Sequence, residues 1–258
     1  MDSENLKITS LIDKSKSITD VKILKSSTDK VESPEEKVNK CCFMELNQGI
    51  SNFNALTFYL VQFSYVCAFT FIDSCQDYLL EDPKYYGISK TEVGTINGDI
   101  LLFDTLYLIA FIYLYGTLHD IFGRKILIVY GFISMGISLL LHPLAGNVYP
   151  NLILVRLIFS NGICAVTTQP LFADYVNPRS RGVGGGLVSL VSGFGAIFAA
   201  LFLLKLQSYI NLFEVYCFTA CLCFLVALIC AFGVKNVNKG ETAVLSLSDR
   251  LYLLSYLL

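Results

Sequence analysis

The chain predicts an all-α, polytopic membrane protein with six transmembrane helices, and three observations predict it. The 258 residues are 54% hydrophobic and only 16% charged, with a mean hydropathy of +0.59, whereas an ordinary soluble domain carries about a quarter charged residues. Six apolar stretches are each long enough to cross a hydrocarbon core of roughly 30 Å at about 1.5 Å per helical residue. Lys and Arg collect on alternate connections, as the rule that leaves positive residues in the cytosol requires.

Residues 1–42 come first and read as a disordered cytosolic tail. They hold eight Lys, eight Asp or Glu, ten Ser or Thr and no aromatic residue, which is too little apolar surface to offset the entropy of ordering. The tail has no apolar core of a secretory signal, and its acidity, with no Arg before Arg124, argues against a mitochondrial presequence. Residues 43–234 form the transmembrane domain. Its first span opens on Phe53–Ile72, 20 residues without a formal charge. The others are expected near 97–117, 124–144, 150–172, 183–206 and 212–234. The uncharged run Ile126–Val155 exceeds one span, and His142-Pro143 with Gly146-Asn147 through Pro150-Asn151 breaks it into an out-and-back pair. Residues 76–96 read as a short polar outer connection that turns at Pro83–Gly87. Residues 235–258 read as the start of a central cytosolic loop or an amphipathic surface helix, because only eight residues follow Arg250.

With the amino terminus inside, 15 of the 19 Lys and Arg fall on the cytosolic side: the tail's eight, Arg124, Lys125, Arg179, Arg181, Lys235, Lys239 and Arg250. Both termini are therefore expected in the cytosol; which membrane holds the protein is open. The net charge of -2 gives no field for a polyphosphate, so nucleic-acid binding has no compositional support. Most of the nine cysteines lie inside apolar stretches as small hydrophobes, and no Cys or His spacing suits zinc. Cys41-Cys42, just before the first span, is a candidate for reversible acylation. No nucleophile elbow, phosphate-cradling loop or metal motif points to an enzyme, and no cofactor is expected.

Between spans two and three the chain reads Gly116-Thr-Leu118-His-Asp120-Ile-Phe-Gly123-Arg124-Lys125. Gly116 and Gly123 suit two helix ends that approach and turn, Asp120 suits a helix cap or an Arg partner, and Arg124-Lys125 anchor the cytosolic side. This loop resembles the signature of the major facilitator superfamily, with Ile121 and His119 in place of the usual Arg and small residue. After span four, Asp174, six further residues and Arg181-Gly182 are similar to the sugar-porter members of that family. The resemblance implies half of a major facilitator fold, two inverted three-helix repeats, and a cytosolic gate in which Asp174 and Arg181 join Arg124. The plain alternative is a capped loop with a surface ion pair worth about 0–1 kcal/mol.

Charged groups near mid-bilayer cost about 2.5–3.5 kcal/mol on insertion scales, so each needs a partner or a wet cavity. Asp99 sits in the first turn of span two, within reach of outer water. Asp73 and Arg156 lie in the outer halves of spans one and four, and Asp104, at similar depth, is the rival partner. In the family resemblance Asp73 corresponds to a proton-coupling acid released from the span-four Arg; the alternative is a permanent ion pair in a facilitative carrier.

Gly182, Gly184, Gly185, Gly186, Gly193 and Gly195 make span five suited to sliding or to static close packing. The hexose-binding Gln of sugar carriers corresponds to Ser189 here, which cannot make the same two-ended hydrogen bonds. Ser192, Asn161, Thr167, Thr168 and Gln169 are cavity candidates that could equally bond between helices. The expected function is secondary-active or facilitative transport of a small polar or organic-ion solute, possible protons included, by alternating access. The expected partners are the solute, the bilayer and a missing carboxy-terminal half or second six-span chain. The alternative function is a non-transporting receptor or assembly subunit that retains the fold.

Overall fold

Among the described residues, six helices are long and apolar enough to cross a membrane, at Asn52–Glu81, Lys90–Phe122, Arg124–Leu144, Val148–Tyr175, Pro178–Leu206 and Leu212–Gly233, here spans one to six. The computed structural model describes residues 40–41, 44–166 and 169–236, all within the compact unit Val38–Leu258. The expected disordered tail up to residue 39, the loop or surface helix beyond 236, and Thr167 and Thr168 lie outside the described residues. Ahead of span one, β1 (Lys40–Cys41) pairs antiparallel with β2 (Met44–Glu45).

Spans one and two are 30 and 33 residues long, well beyond the charge-free stretches that announce them. Hydropathy marks the part of a helix that needs lipid, whereas the helix itself continues wherever its backbone remains paired and its polar side chains find partners. Thus Asp73, Gln76, Asp77 and Glu81 still belong to span one. The expected polar connection shrinks to 82–89. There the Asp82 carbonyl accepts the amides of Tyr85, Tyr86 and Gly87, and the Tyr86 hydroxyl donates to the His142 carbonyl at 3.0 Å. Burial pushes that hydroxyl's pKa up to about 12, so it stays a donor at neutral pH. Span one starts on a capping box: Ser51 accepts the Asn54 amide while the Asn54 side chain accepts the Ser51 amide. The Asn54 side chain also donates to the Gly233 carbonyl at 2.7 Å, tying the start of span one to the end of span six.

The packing repeats itself. Span one lies against five and six, span four against two and three, and three against six. Exchanging the first three spans for the last three turns one–five into four–two and one–six into four–three and leaves three–six as it is, as two three-helix repeats require. Lipid tails give helices no hydrophobic reason to associate, so small residues and interhelical hydrogen bonds supply the adhesion. Spans three and four show this best. The Ser134 and Ser138 hydroxyls donate to the carbonyls of Ile158 and Val155 at 2.9 and 2.7 Å. Between them Gly131 and Gly162 meet backbone to backbone: a Cβ on Gly162 would lie 2.5 Å from Met135 Cγ and 2.7 Å from the Gly131 oxygen. Spans two and five are the least buried, with 17% of their most apolar windows inside the bundle against 44–62% for the others.

Candidate functional site

Among the described residues Arg156 is the largest fully buried side chain, and its guanidinium meets carboxylates from two other spans. Its Nη2 and Nε lie 2.9 and 3.2 Å from Asp104 Oδ2, Nη2 also bonds the Asp73 carboxylate, and Nη1 donates to Gln76 Oε1 at 3.3 Å. The Ser160 hydroxyl donates to Asp104 Oδ1. Asp73 and Asp104 are therefore joint partners of Arg156, where the sequence leaves them as rivals. Their surroundings differ: the Asp104 side chain is 1% exposed and that of Asp73 34%. One side of the guanidinium therefore opens towards solvent through Asp73, whereas the side facing Asp104 is sealed. From Gln76 the contacts run outward, its Nε2 donating to Asn97 Oδ1 at 2.6 Å and Asn97 Nδ2 to Asp77 Oδ1 at 2.7 Å.

Gln76, Asn97 and Ser160 are absent from the sequence-derived site. Helical spacing could have found two of them, because Gln76 follows Asp73 by three residues and Ser160 follows Arg156 by four, on the same faces. Asp99 stays apart from the cluster and accepts from the Tyr149 hydroxyl at 2.7 Å.

At the other end of the bundle, Arg124 Nη1 lies 2.6 Å from Asp174 Oδ2, with both side chains at least 90% buried. Asp120, 75% exposed, sits 3.8 Å from Arg124 Nη2, so the buried Asp174 makes the closer pair. Arg181 Nη2 donates to the Ala173 carbonyl at 3.3 Å, one residue before Asp174. It thereby braces the end of span four. Gly123 makes the turn with φ +88°, a left-handed conformation that a side chain would strain. The expected part of Gly116 in that turn is not borne out: it lies about two helical turns before Gly123, inside span two, with open space where a Cβ would stand. Leu118 packs against the cluster of Tyr115, Leu127, Cys164 and Ala165. The Lys125 amide donates to Asn236 Oδ1 at 3.0 Å, a partner the sequence did not suggest. Gly182 also faces open space.

A family model described as Major Facilitator Superfamily matches residues 53–250. The chain belongs to the major facilitator superfamily. No curated protein matches it. Membership makes the chain a multi-pass integral membrane protein of a transporter family, which moves small-molecule solutes across a lipid bilayer, and not of an enzyme family.

Within this major facilitator chain the cavity candidates separate. Asn161 is bound between helices: its Oδ1 accepts from the Tyr115 hydroxyl and its Nδ2 donates to the Tyr130 hydroxyl at 3.0 Å. Ser192 accepts from Gln62 Nε2 at 2.8 Å, joining spans five and one. Ser189 is exposed and donates to the Gly185 carbonyl of its own helix at 3.1 Å. Gln169 begins the last helical stretch of span four, and its side chain lies outside the description.

Proposed function

We propose that the protein carries a small polar or organic-ion solute by alternating access, with Asp73 as the proton-coupling acid, Arg156 as its counter-charge and Arg124–Asp174 as the cytosolic gate. The observation that carries this reading is one buried cation between two acids of unequal exposure. Asp104, sealed and held by Ser160 as well, keeps Arg156 anchored; Asp73, open to solvent, takes up and releases the proton. Protonating Asp73 removes its attraction for Arg156 and lets span one move against span four, which links proton uptake to the change of access. Ser189 stands as the exposed cavity position.

A second six-helix half, on the same polypeptide or another, completes the solute path. The sparsely buried faces of spans two and five support this, since Gly98, Gly116, Gly182, Gly185 and Gly186 all have room for a closely approaching helix. A thermal-shift panel of sugars, amino acids, organic anions and organic cations identifies the solute class, because a ligand that binds only the folded state raises its apparent stability. With that solute, uptake into vesicles driven by an inward proton gradient is expected to lose its gradient response in Asp73→Asn. An unchanged response to the gradient in this variant would show that Asp73 merely fixes helix packing. Epitope tags near Arg124 and near Tyr86 are expected to report the cytosol and the opposite compartment; reversed labelling removes the proposed orientation.

A further inference from the structure

The segment from Met44 to Ile50 lies across the end of the bundle that carries Arg124 and Asp174. Met44, Leu46 and Ile50 are each no more than 2% exposed. Leu46 forms an antiparallel bridge with Val176; the Asn177 amide donates to the Glu45 carbonyl at 3.0 Å and the Asn47 amide to the Tyr175 carbonyl at 2.9 Å. Two side chains add to these backbone contacts. Asn47 Nδ2 donates to the Asp174 carbonyl at 2.7 Å, and Ser180 Oγ accepts the Glu45 amide at 3.1 Å and donates to its carbonyl at 3.1 Å.

The same segment is tied to span six. Lys235 Nζ donates to the Gly49 carbonyl at 2.7 Å, and the Lys235 amide donates to the Tyr175 hydroxyl at 2.7 Å. Asp174 is thus held twice, its carboxylate by Arg124 and its own carbonyl by Asn47. Separating Asp174 from Arg124 requires the turn between spans four and five to move relative to span three, and the strap bonds that turn to the start of span one and the exit of span six.

We propose that residues 44–50 are a latch, which keeps the Arg124–Asp174 pair closed and must release the 174–180 turn before the access state can change. The proposal rests on the reading of that pair as a gate. Asn47 and Ser180 are positioning residues in it, acting through Asp174.

The test places Ser189→Cys as a reporter in the full chain in membrane vesicles and follows its reaction with a membrane-impermeant maleimide from each face. Labelling of the parent without the reporter is subtracted. With Asn47→Ala and Ser180→Ala combined, labelling from the Arg124 face is expected to rise about tenfold or more, the shift that three lost side-chain hydrogen bonds produce at the lower end of their usual net contribution. Labelling from the opposite face is expected to fall, and restoring the hydroxyl with Ser180→Thr to reverse part of both changes. General loosening would raise both faces together, and that result overturns the latch, as does no change at either face while Arg124→Gln shifts them reciprocally. If Arg124→Gln itself leaves both faces unchanged, the gate reading fails and the latch with it. Should the double variant fail to assemble, Lys235→Met, at an exposed contact to Gly49, gives the same readout.

Discussion

Arg156→Met is expected to destabilise the folded protein by about 3–5 kcal/mol, because it leaves a buried carboxylate without its cation. Methionine keeps much of the unbranched volume of arginine, so the loss is chiefly electrostatic. In the parent, Asp104 is 1% exposed and receives two bonds from the guanidinium and one from Ser160. Without Arg156 only the serine remains, and Asp104 and Asp73 repel one another. Thermal or denaturant unfolding of the purified protein in detergent measures the effect. Adding Asp104→Asn to Arg156→Met should restore most of the lost stability, since it removes the sealed charge. A single variant within about 0.5 kcal/mol of the parent, the range of ordinary surface changes, would mean that the cluster contributes nothing to the fold.

Gly162→Leu is expected to cost about 3 kcal/mol or more, at the upper end of overpacking penalties. The obstruction is backbone: the added Cβ would stand 2.7 Å from the Gly131 oxygen, and no rotamer change can relieve that. Spans three and four must separate, which also breaks the bonds from Ser134 and Ser138 to the carbonyls of span four. Gly185→Ala is the matched control. A Cβ there meets open space, and the better helix propensity of alanine makes that change neutral or slightly stabilising, by up to about 1 kcal/mol. Equal unfolding midpoints for the two variants would refute the close contact at Gly162.

Much of the arrangement is legible in the amino-acid sequence, and the gaps have physical causes. The charge-free run Phe53–Ile72 announces span one because partition into lipid depends on composition, but the run says nothing about where the helix stops. The polar end carrying Gln76 and Asp77 is helical because its side chains find partners on span two. Depth along a helix placed Asp73, Asp104 and Arg156 at one level, whereas their sharing of a single guanidinium depends on how spans one, two and four are rotated and packed. The loop signature drew attention to Arg124 and Asp174, yet it overstated Gly116, since a motif names residues and not the directions in which they point. The strap at 44–50 had no signal of its own. Its bonds to the 174–180 turn join positions as many as 135 residues apart, and so short a segment shows no periodicity.

Six membrane-crossing segments, the acids and the arginine that cannot lie in lipid unpaired, and the family's loop signature were determined by the sequence by itself, because transfer from water to hydrocarbon is a property of local composition. Which acid is sealed and which is open, which glycines touch and which face empty space, and what closes over Asp174 were decided only by the tertiary structure. Those properties depend on the relative rotation of helices, which is set by contacts between distant parts of the chain.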